Sequence, residues 1–222
     1  MSRLAKLWWG LVRFGFRLLY NEMAFTYDMV SKVVSLGAWR SWQRSALKHL
    51  PAGKGLRVLE LAYGTGNLHL DLHEAGYEVV GCDLSPFMAR ITQQKFARQK
   101  RSARLVQGKA QQLPFRDKSF QGVVSTFPTD FIIQAATIRE VHRVLDDGGV
   151  FVIVPNGVLT GDGVLEIVLE WLYKITGQRE HSEGDQLDSI RRFFEPYGFE
   201  VELFREPCPH SIAEVIRARK RV

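Results

Sequence analysis

Cysteine is scarce: Cys82 and Cys208 are the only two in 222 residues, too few for a disulfide framework, so a reducing cytoplasm is the expected compartment. No run of about 20 apolar residues occurs, which excludes an expected membrane span. A secretory leader is not expected, because Arg13 and Arg17 break the apolar stretch near the start and no small-residue cleavage site follows. Internal repeats and low-complexity tracts are absent. His69 and His73 stand four apart, but no Glu follows His69 and no third ligand is evident, so no metal site is expected.

Acidic residues are missing from one part of the chain in particular. Residues 1–50 carry eight bases (Arg3, Lys6, Arg13, Arg17, Lys32, Arg40, Arg44 and Lys48) against Glu22 and Asp28. Their net +6 equals that of the whole chain, so residues 51–222 balance to zero. Within residues 2–20, tryptophans and leucines such as Leu7, Trp8, Trp9 and Leu18 are apolar, while Arg3, Lys6, Arg13 and Arg17 share an arc of roughly 80° at helical spacing. A broad apolar face with a narrow cationic stripe has the composition of a helix lying in a membrane interface. The competing reading is a helix packed over the domain or into a homodimer.

What the chain does have is the run Val58-Leu-Glu-Leu-Ala-Tyr-Gly-Thr-Gly-Asn67. An apolar strand leads into an acid, a glycine turn and a helix that begins near Asn67. This arrangement brings helix N-terminal N–H groups toward a ligand's anionic end. Gly64 and Gly66 allow the tight turn and leave no Cβ in a ligand's way. The following strand, Glu78–Cys82, ends at Asp83, suited to accept hydrogen bonds from ribose hydroxyls. The Gly-x-Gly-x-x-Gly order of a dinucleotide site is absent; the order is Glu60-x-Ala62-x-Gly64-x-Gly66.

With these motifs the chain resembles the class I S-adenosylmethionine-dependent methyltransferases over about residues 20–155. Three further stretches carry the resemblance in order: Asp83–Met88, Ala110–Phe115, and Glu140–Gly149. Upstream, Tyr27-Asp28, Ser35-Leu-Gly37 and Trp39-Arg40 resemble the opening of the ubiquinone/menaquinone biosynthesis branch, whose early helices roof the cofactor.

Alternating strands (56–61, 78–82, 103–107, 121–126, 149–154, 199–205, 211–218) and helices (4–19, 26–36, 39–49, 66–75, 86–100, 134–145, 162–176, 185–196) predict an α/β fold: a mainly parallel sheet covered on both faces. The resemblance implies a Rossmann-like, doubly wound, seven-stranded sheet in the order 3-2-1-4-5-7-6, its last strand antiparallel. Residues 1–50 form an N-terminal helical extension, residues 51–222 the methyltransferase domain, and residues 157–185 a substrate-facing insertion. In that insertion Val164, Leu165, Val168, Leu169, Leu172 and Ile175 recur at helical spacing beside Trp171 and Tyr173.

The resemblance also implies roles. Glu60 sits near the cofactor's amino group, Gly64 and Gly66 line its methionine part, and Asp83 takes the ribose. Leu84 and Met88 pack on adenine, with Ala110 and Gln111 at its edge; Asn67, Thr126 and Tyr27 complete the set. Three departures stand out. Ala62 replaces a glycine, which requires a negative φ there. Tyr63 is large for the turn and is expected to cover the cofactor. Lys109 replaces an acid; being donor-only, it leaves Gln111 or a carbonyl to accept from the adenine amino group. After the fourth strand, Ser125–Asp130 lacks the Asn/Asp-Pro-Pro-Tyr/Phe signature, and the domain is neutral, so no nucleic-acid partner is expected. Asp130 is the candidate base, or else a helix cap.

The expected function is methyl transfer from S-adenosylmethionine, with S-adenosylhomocysteine as product, to an apolar quinone-like or lipid acceptor, at the inner face of the membrane. A soluble acceptor beneath an N-terminal lid or dimer arm is the second reading. A non-catalytic S-adenosylmethionine-binding regulatory protein is the third.

Overall fold

In a computed structural model, residues 27–160 and 183–222 are described. The expected helices at 4–19 and 162–176, with the apolar stripe from Val164 to Ile175, fall outside them.

Successive apolar residues in the central strands reflect burial on both faces. From β1 (Arg57–Leu61), β4 (Phe120–Thr126) and β5 (Leu145–Val154), the side chains of Val58, Val124, Val152 and Val154 pack with Trp42 and Leu68. Their neighbours Leu59, Val123, Phe151 and Ile153 pack on the other side with Ile138, Val141 and Phe194. Helices α1 (Tyr27–Val34), α2 (Trp39–Ser45) and α3 (Asn67–Glu74) precede or follow β1. After β2 (Glu78–Asp83) comes α4 (Pro86–Arg98), then β3 (Arg104–Gln107). Helix α5 (Ala135–Val144) leads into β5, and α6 (Glu183–Phe194) into the closing strands.

The sheet order is β3-β2-β1-β4-β5-β8, with β7 (Phe199–Cys208) on the far edge of β8 (Ser211–Lys220). Strands β1 to β5 are parallel and β8 runs antiparallel to β5. With residues 199–208 and 211–220 counted sixth and seventh, this is the predicted 3-2-1-4-5-7-6 order.

The structure adds an eighth strand. β6 (Gly157–Leu159), within the predicted insertion, pairs with Ser211–Ala213 beside β5 on the same edge of β8. Gly157 is required by packing: a Cβ there would lie 2.1 Å from the Trp42 ring. Helix 39–49 ends earlier than predicted, tightening into a 3-10 turn at Ala46–His49. The fifth strand begins at Leu145 rather than 149, its register with β4 shifting between Phe120 and Gly122. Buried Lys220 donates to the carbonyls of His142 (2.9 Å) and Leu145 (2.8 Å), satisfying groups left at the end of α5. No helix among the described residues is long and apolar enough to cross a membrane.

Candidate active site

The turn after β1 is built from left-handed backbone. Ala62 has φ 53°, Gly64 55° and Gly66 76°. The negative φ expected at Ala62 is therefore corrected: the residue sits where glycine is favoured, at a cost of about 1–2 kcal/mol. Surrounding bonds hold it there, including its own N–H to the Cys82 carbonyl at 2.8 Å. The two glycines differ in purpose. A Cβ on Gly64 would meet nothing within 4 Å, and the residue lines a cavity. A Cβ on Gly66 would lie 2.5 Å from Thr92, so that glycine admits α4 rather than lining the cavity.

Asp83, at the end of β2, ties the turn to the sheet. Gly64 N–H donates to Oδ2 (3.0 Å) and Ser85 N–H to Oδ1 (2.8 Å). Burial raises the carboxyl's pKa, and the backbone N–H bonds pull it back. Leu84 N–H also contributes, and three backbone bonds still leave the two carboxylate oxygens some acceptor capacity. Asp83-Leu84-Ser85-Pro86 then starts α4 by ordinary capping chemistry. Ser85 accepts from Met88 N–H at 3.3 Å, and Pro86 sits where no N–H partner is needed.

A cavity of about 420 Å³ opens here. Ala62, Gly64, Asp83, Leu84, Met88, Lys109, Ala110 and Gln111 line one part; Thr126, Phe127, Pro128, Thr129 and Phe131 line the rest. Gln111 Nε2 donates to Gln134 Oε1 (2.8 Å), which leaves Gln111 Oε1 as an acceptor. Thr126 Oγ1 accepts from Gln43 Nε2 at 3.2 Å. Phe127 has φ 51°, unusual for a bulky residue, and its ring stacks on Trp39 with centroids 3.7 Å apart. The loop carrying Gln111 is fastened from α5: Arg143 donates to the carbonyls of Leu113 (3.0 Å) and Phe115 (2.7 Å), while Glu140 Oε2 accepts from Leu113 N–H (2.6 Å).

Several predicted residues lie elsewhere. Glu60 is buried behind the turn, its Oε2 2.8 Å from His69 Nδ1, and it is not among the cavity lining. Tyr63 turns under the sheet instead of over the cavity. Its ring packs against Gly81 and Met88, and burial pushes its hydroxyl pKa up. Asn67 bridges Asp28 (2.9 Å) and Lys95 (2.5 Å). Asp28 on α1 also accepts from Thr65 Oγ1 (2.5 Å) and pairs with Lys95 (3.1 Å), an arrangement that distant residue numbers conceal. Tyr27 opens α1, but its side chain is outside the described residues. Asp130 is exposed at the start of the 3-10 turn Asp130–Ile133, between cavity-lining Thr129 and Phe131. Cys82, Ser85 and Gly108 also line the cavity without having been anticipated.

Comparison with known proteins places this geometry in context. The profile of the ubiE/COQ5 methyltransferase family matches residues 16–175. A demethylmenaquinone methyltransferase of Deinococcus radiodurans is 34% identical over 139 residues, covering 61% of this chain and 58% of that protein. One from Lactiplantibacillus plantarum is 32% identical over 201 residues, covering 85% and 84%. The chain thus spans just under three fifths of the Deinococcus protein and more of the second. In structure it is similar to a SAM-dependent methyltransferase from Thermotoga maritima (TM-score 0.62, 20% identity, 91% and 98% covered). It is also similar to a Haemonchus contortus phosphoethanolamine N-methyltransferase solved with S-adenosylhomocysteine (TM-score 0.61, 17% identity, 84% and 53% covered). These two likenesses concern the fold. The extent of the profile match, together with the sequence identities, decides the assignment: the chain belongs to the ubiE/COQ5 methyltransferase family.

Proposed function

We propose that the protein transfers a methyl group from S-adenosylmethionine to an apolar, quinone-like small molecule. The observation that carries this reading is the two-part cavity, polar beside the turn and aromatic beyond β4. The residues present suit the cofactor. Asp83 keeps acceptor capacity for ribose hydroxyls, Gly64 presents no side chain, and Gln111 Oε1 can accept from an amino group. Leu84 and Met88 supply apolar contact for a base.

When bound, the cofactor supplies a methyl group activated by its sulfonium charge, so the chain's main tasks are alignment and exclusion of water. Phe127, Pro128 and Phe131 offer an apolar wall for a planar acceptor. Asp130, beside that wall, is proposed to take the proton released by the acceptor. The demethylmenaquinone methyltransferases among the relatives support a quinone-like acceptor here. We further propose that residues 2–19 contact the membrane surface where such acceptors reside, on the cytoplasmic side.

The test is calorimetric titration with S-adenosylhomocysteine on the wild type and on Asp83→Ala, followed by turnover with a demethylated naphthoquinol in detergent. Binding lost with Asp83→Ala, plus methylated product, supports the reading. Absence of wild-type binding overturns it. Binding without product from naphthoquinol, phenol or lipid acceptors would instead mark a non-catalytic binder.

A further inference from the structure

Two residues of α2 hold two consecutive residues of the cavity wall. Trp39 stacks on the Phe127 ring, with centroids 3.7 Å apart and planes inclined by 26°. Four positions on, Gln43 Nε2 donates to Thr126 Oγ1 at 3.2 Å. Residues spaced in this way share a helix face, so one side of α2 meets the end of β4 through both contacts. The helix is itself anchored to the sheet. Buried Trp42 donates from Nε1 to Ser211 Oγ on β8 at 2.9 Å, and its ring lies against Gly157.

Local structure alone would produce neither contact. Phe127 has φ 51°, an outlier for a bulky side chain, and such a backbone persists only where its surroundings over-determine it. The Trp39 stack and a 2.7 Å bond from Phe127 N–H to the Val154 carbonyl do so here. Gln43 Oε1 is buried without a hydrogen-bond partner, so Thr126 sets the place of this amide rather than a network of its own. Thr126 Oγ1 receives the Gln43 bond, and its own proton meets no acceptor among the described residues. Thr126 and Phe127 both line the cavity beyond the cofactor turn.

We infer that Trp39 and Gln43 are positioning residues for the methyl acceptor. Trp39 fixes Phe127 as the stacking side of the acceptor pocket, and Gln43 fixes the Thr126 hydroxyl as a donor to an oxygen substituent on the acceptor. The inference rests on the proposed methyl transfer and names what is read in the acceptor: a planar face and an oxygen. A site built in this way prefers an oxygen-bearing bicyclic arene to the bare hydrocarbon, which would leave the Thr126 donor unpaired.

The experiment is equilibrium dialysis of the full chain, saturated with S-adenosylhomocysteine, against 1-naphthol and against naphthalene, with turnover of the demethylated naphthoquinol in detergent alongside. Wild type is expected to favour 1-naphthol about tenfold. Thr126→Val is expected to remove that preference, Thr126→Ser to keep it, and Gln43→Met to lower it about threefold. Trp39→Ala is expected to weaken both probes and raise the naphthoquinol KM about tenfold, with kcat and S-adenosylhomocysteine affinity within about twofold of wild type. Trp39→Phe should restore most of the loss. If Trp39→Ala does not fold, Thr126→Val and Gln43→Met decide alone. Variants that melt earlier yet keep wild-type probe binding and KM overturn the inference, because Trp39 and Gln43 then only stabilise. Equal loss of cofactor and probe affinity also overturns it. So does Thr126→Val losing S-adenosylhomocysteine while keeping the preference, which would assign Thr126 to the cofactor. If the wild type binds S-adenosylhomocysteine but no 1-naphthol, or both probes equally, this inference falls and methyl transfer is judged by turnover. If it binds no S-adenosylhomocysteine, both fall.

Discussion

Glu60 and His69 meet behind the turn after β1, Oε2 to Nδ1 at 2.8 Å, with 2% and 1% of their surfaces exposed. Burial favours the neutral carboxyl and raises the Glu60 pKa, with the His69 hydrogen bond opposing it. The folded protein therefore holds this proton more tightly than the unfolded chain. The associated stability is complete below the unfolded value and is lost as pH rises through the folded one. Glu60→Gln, permanently neutral and still able to accept from His69, should gain in melting temperature relative to wild type as pH rises from about 4 to about 8. A difference that stays constant across that range would show that Glu60 does not titrate this way.

Arg143 and Glu140 act together on the loop that carries Gln111. Arg143 Nε and Nη2 donate to the two Glu140 oxygens, both at 2.8 Å, and Asp117 takes a third bond at 2.8 Å. Lysine cannot reproduce this fork or reach both loop carbonyls. Arg143→Lys is expected to lose about 1–3 kcal/mol of stability and to weaken S-adenosylhomocysteine binding, because the Gln111 loop loosens. The urea midpoint and a calorimetric titration read the two effects. Unaltered cofactor affinity would confine Arg143 to stability.

Ala62→Gly should relieve the left-handed strain and raise stability by about 0.5–1 kcal/mol, the added freedom of the unfolded glycine offsetting part of the gain. Ala62→Val should move the urea midpoint the other way. A lower midpoint for the glycine variant would mean the Ala62 methyl makes contacts worth more than the strain.

Asp28→Ala removes the shared acceptor of Thr65 and Asn67 and the charge partner of Lys95. About a threefold to tenfold loss of S-adenosylhomocysteine affinity is expected, roughly one hydrogen bond's net worth transmitted through the turn. Asp28→Asn, which keeps an oxygen acceptor but not the charge, should fall between. Equal affinity in all three proteins would separate α1 from cofactor binding.

Local signals in the sequence predicted much of this molecule. Strands such as Val58–Leu61, apolar but for Glu60, and Phe151–Val154 are legible because burial on both faces leaves apolar runs, and Ser85-Pro86 announces a helix start. The strand order was available through the family resemblance and not through periodicity. What could not be read were contacts between residues far apart in number. Asp28 meets Thr65 across 37 positions, and Arg143 reaches the Leu113 carbonyl from 30 away. The motif implied that Glu60 approaches the cofactor's amino group and that Tyr63 covers the cofactor, but it did not give their packing partners. Strand alternation and the turn's left-handed residues direct Glu60 toward His69 and Tyr63 against Gly81. β6 was hidden by its brevity and by a glycine whose reason is the Trp42 ring.

The position of β8 has a consequence for how the chain is made. It lies between β5 and β7, yet it follows both of them in the chain, so a nascent chain emerging from the ribosome presents the β5 edge unpaired until residues 211–220 arrive. The carbonyls that Lys220 satisfies at the end of α5 wait equally long. Translation arrested before Ser211 would leave a sticky sheet margin exposed, a template for wrong partners. Synthesis of this chain thus has a late vulnerable interval, closed by a strand that enters the sheet between two earlier ones rather than adding to its rim.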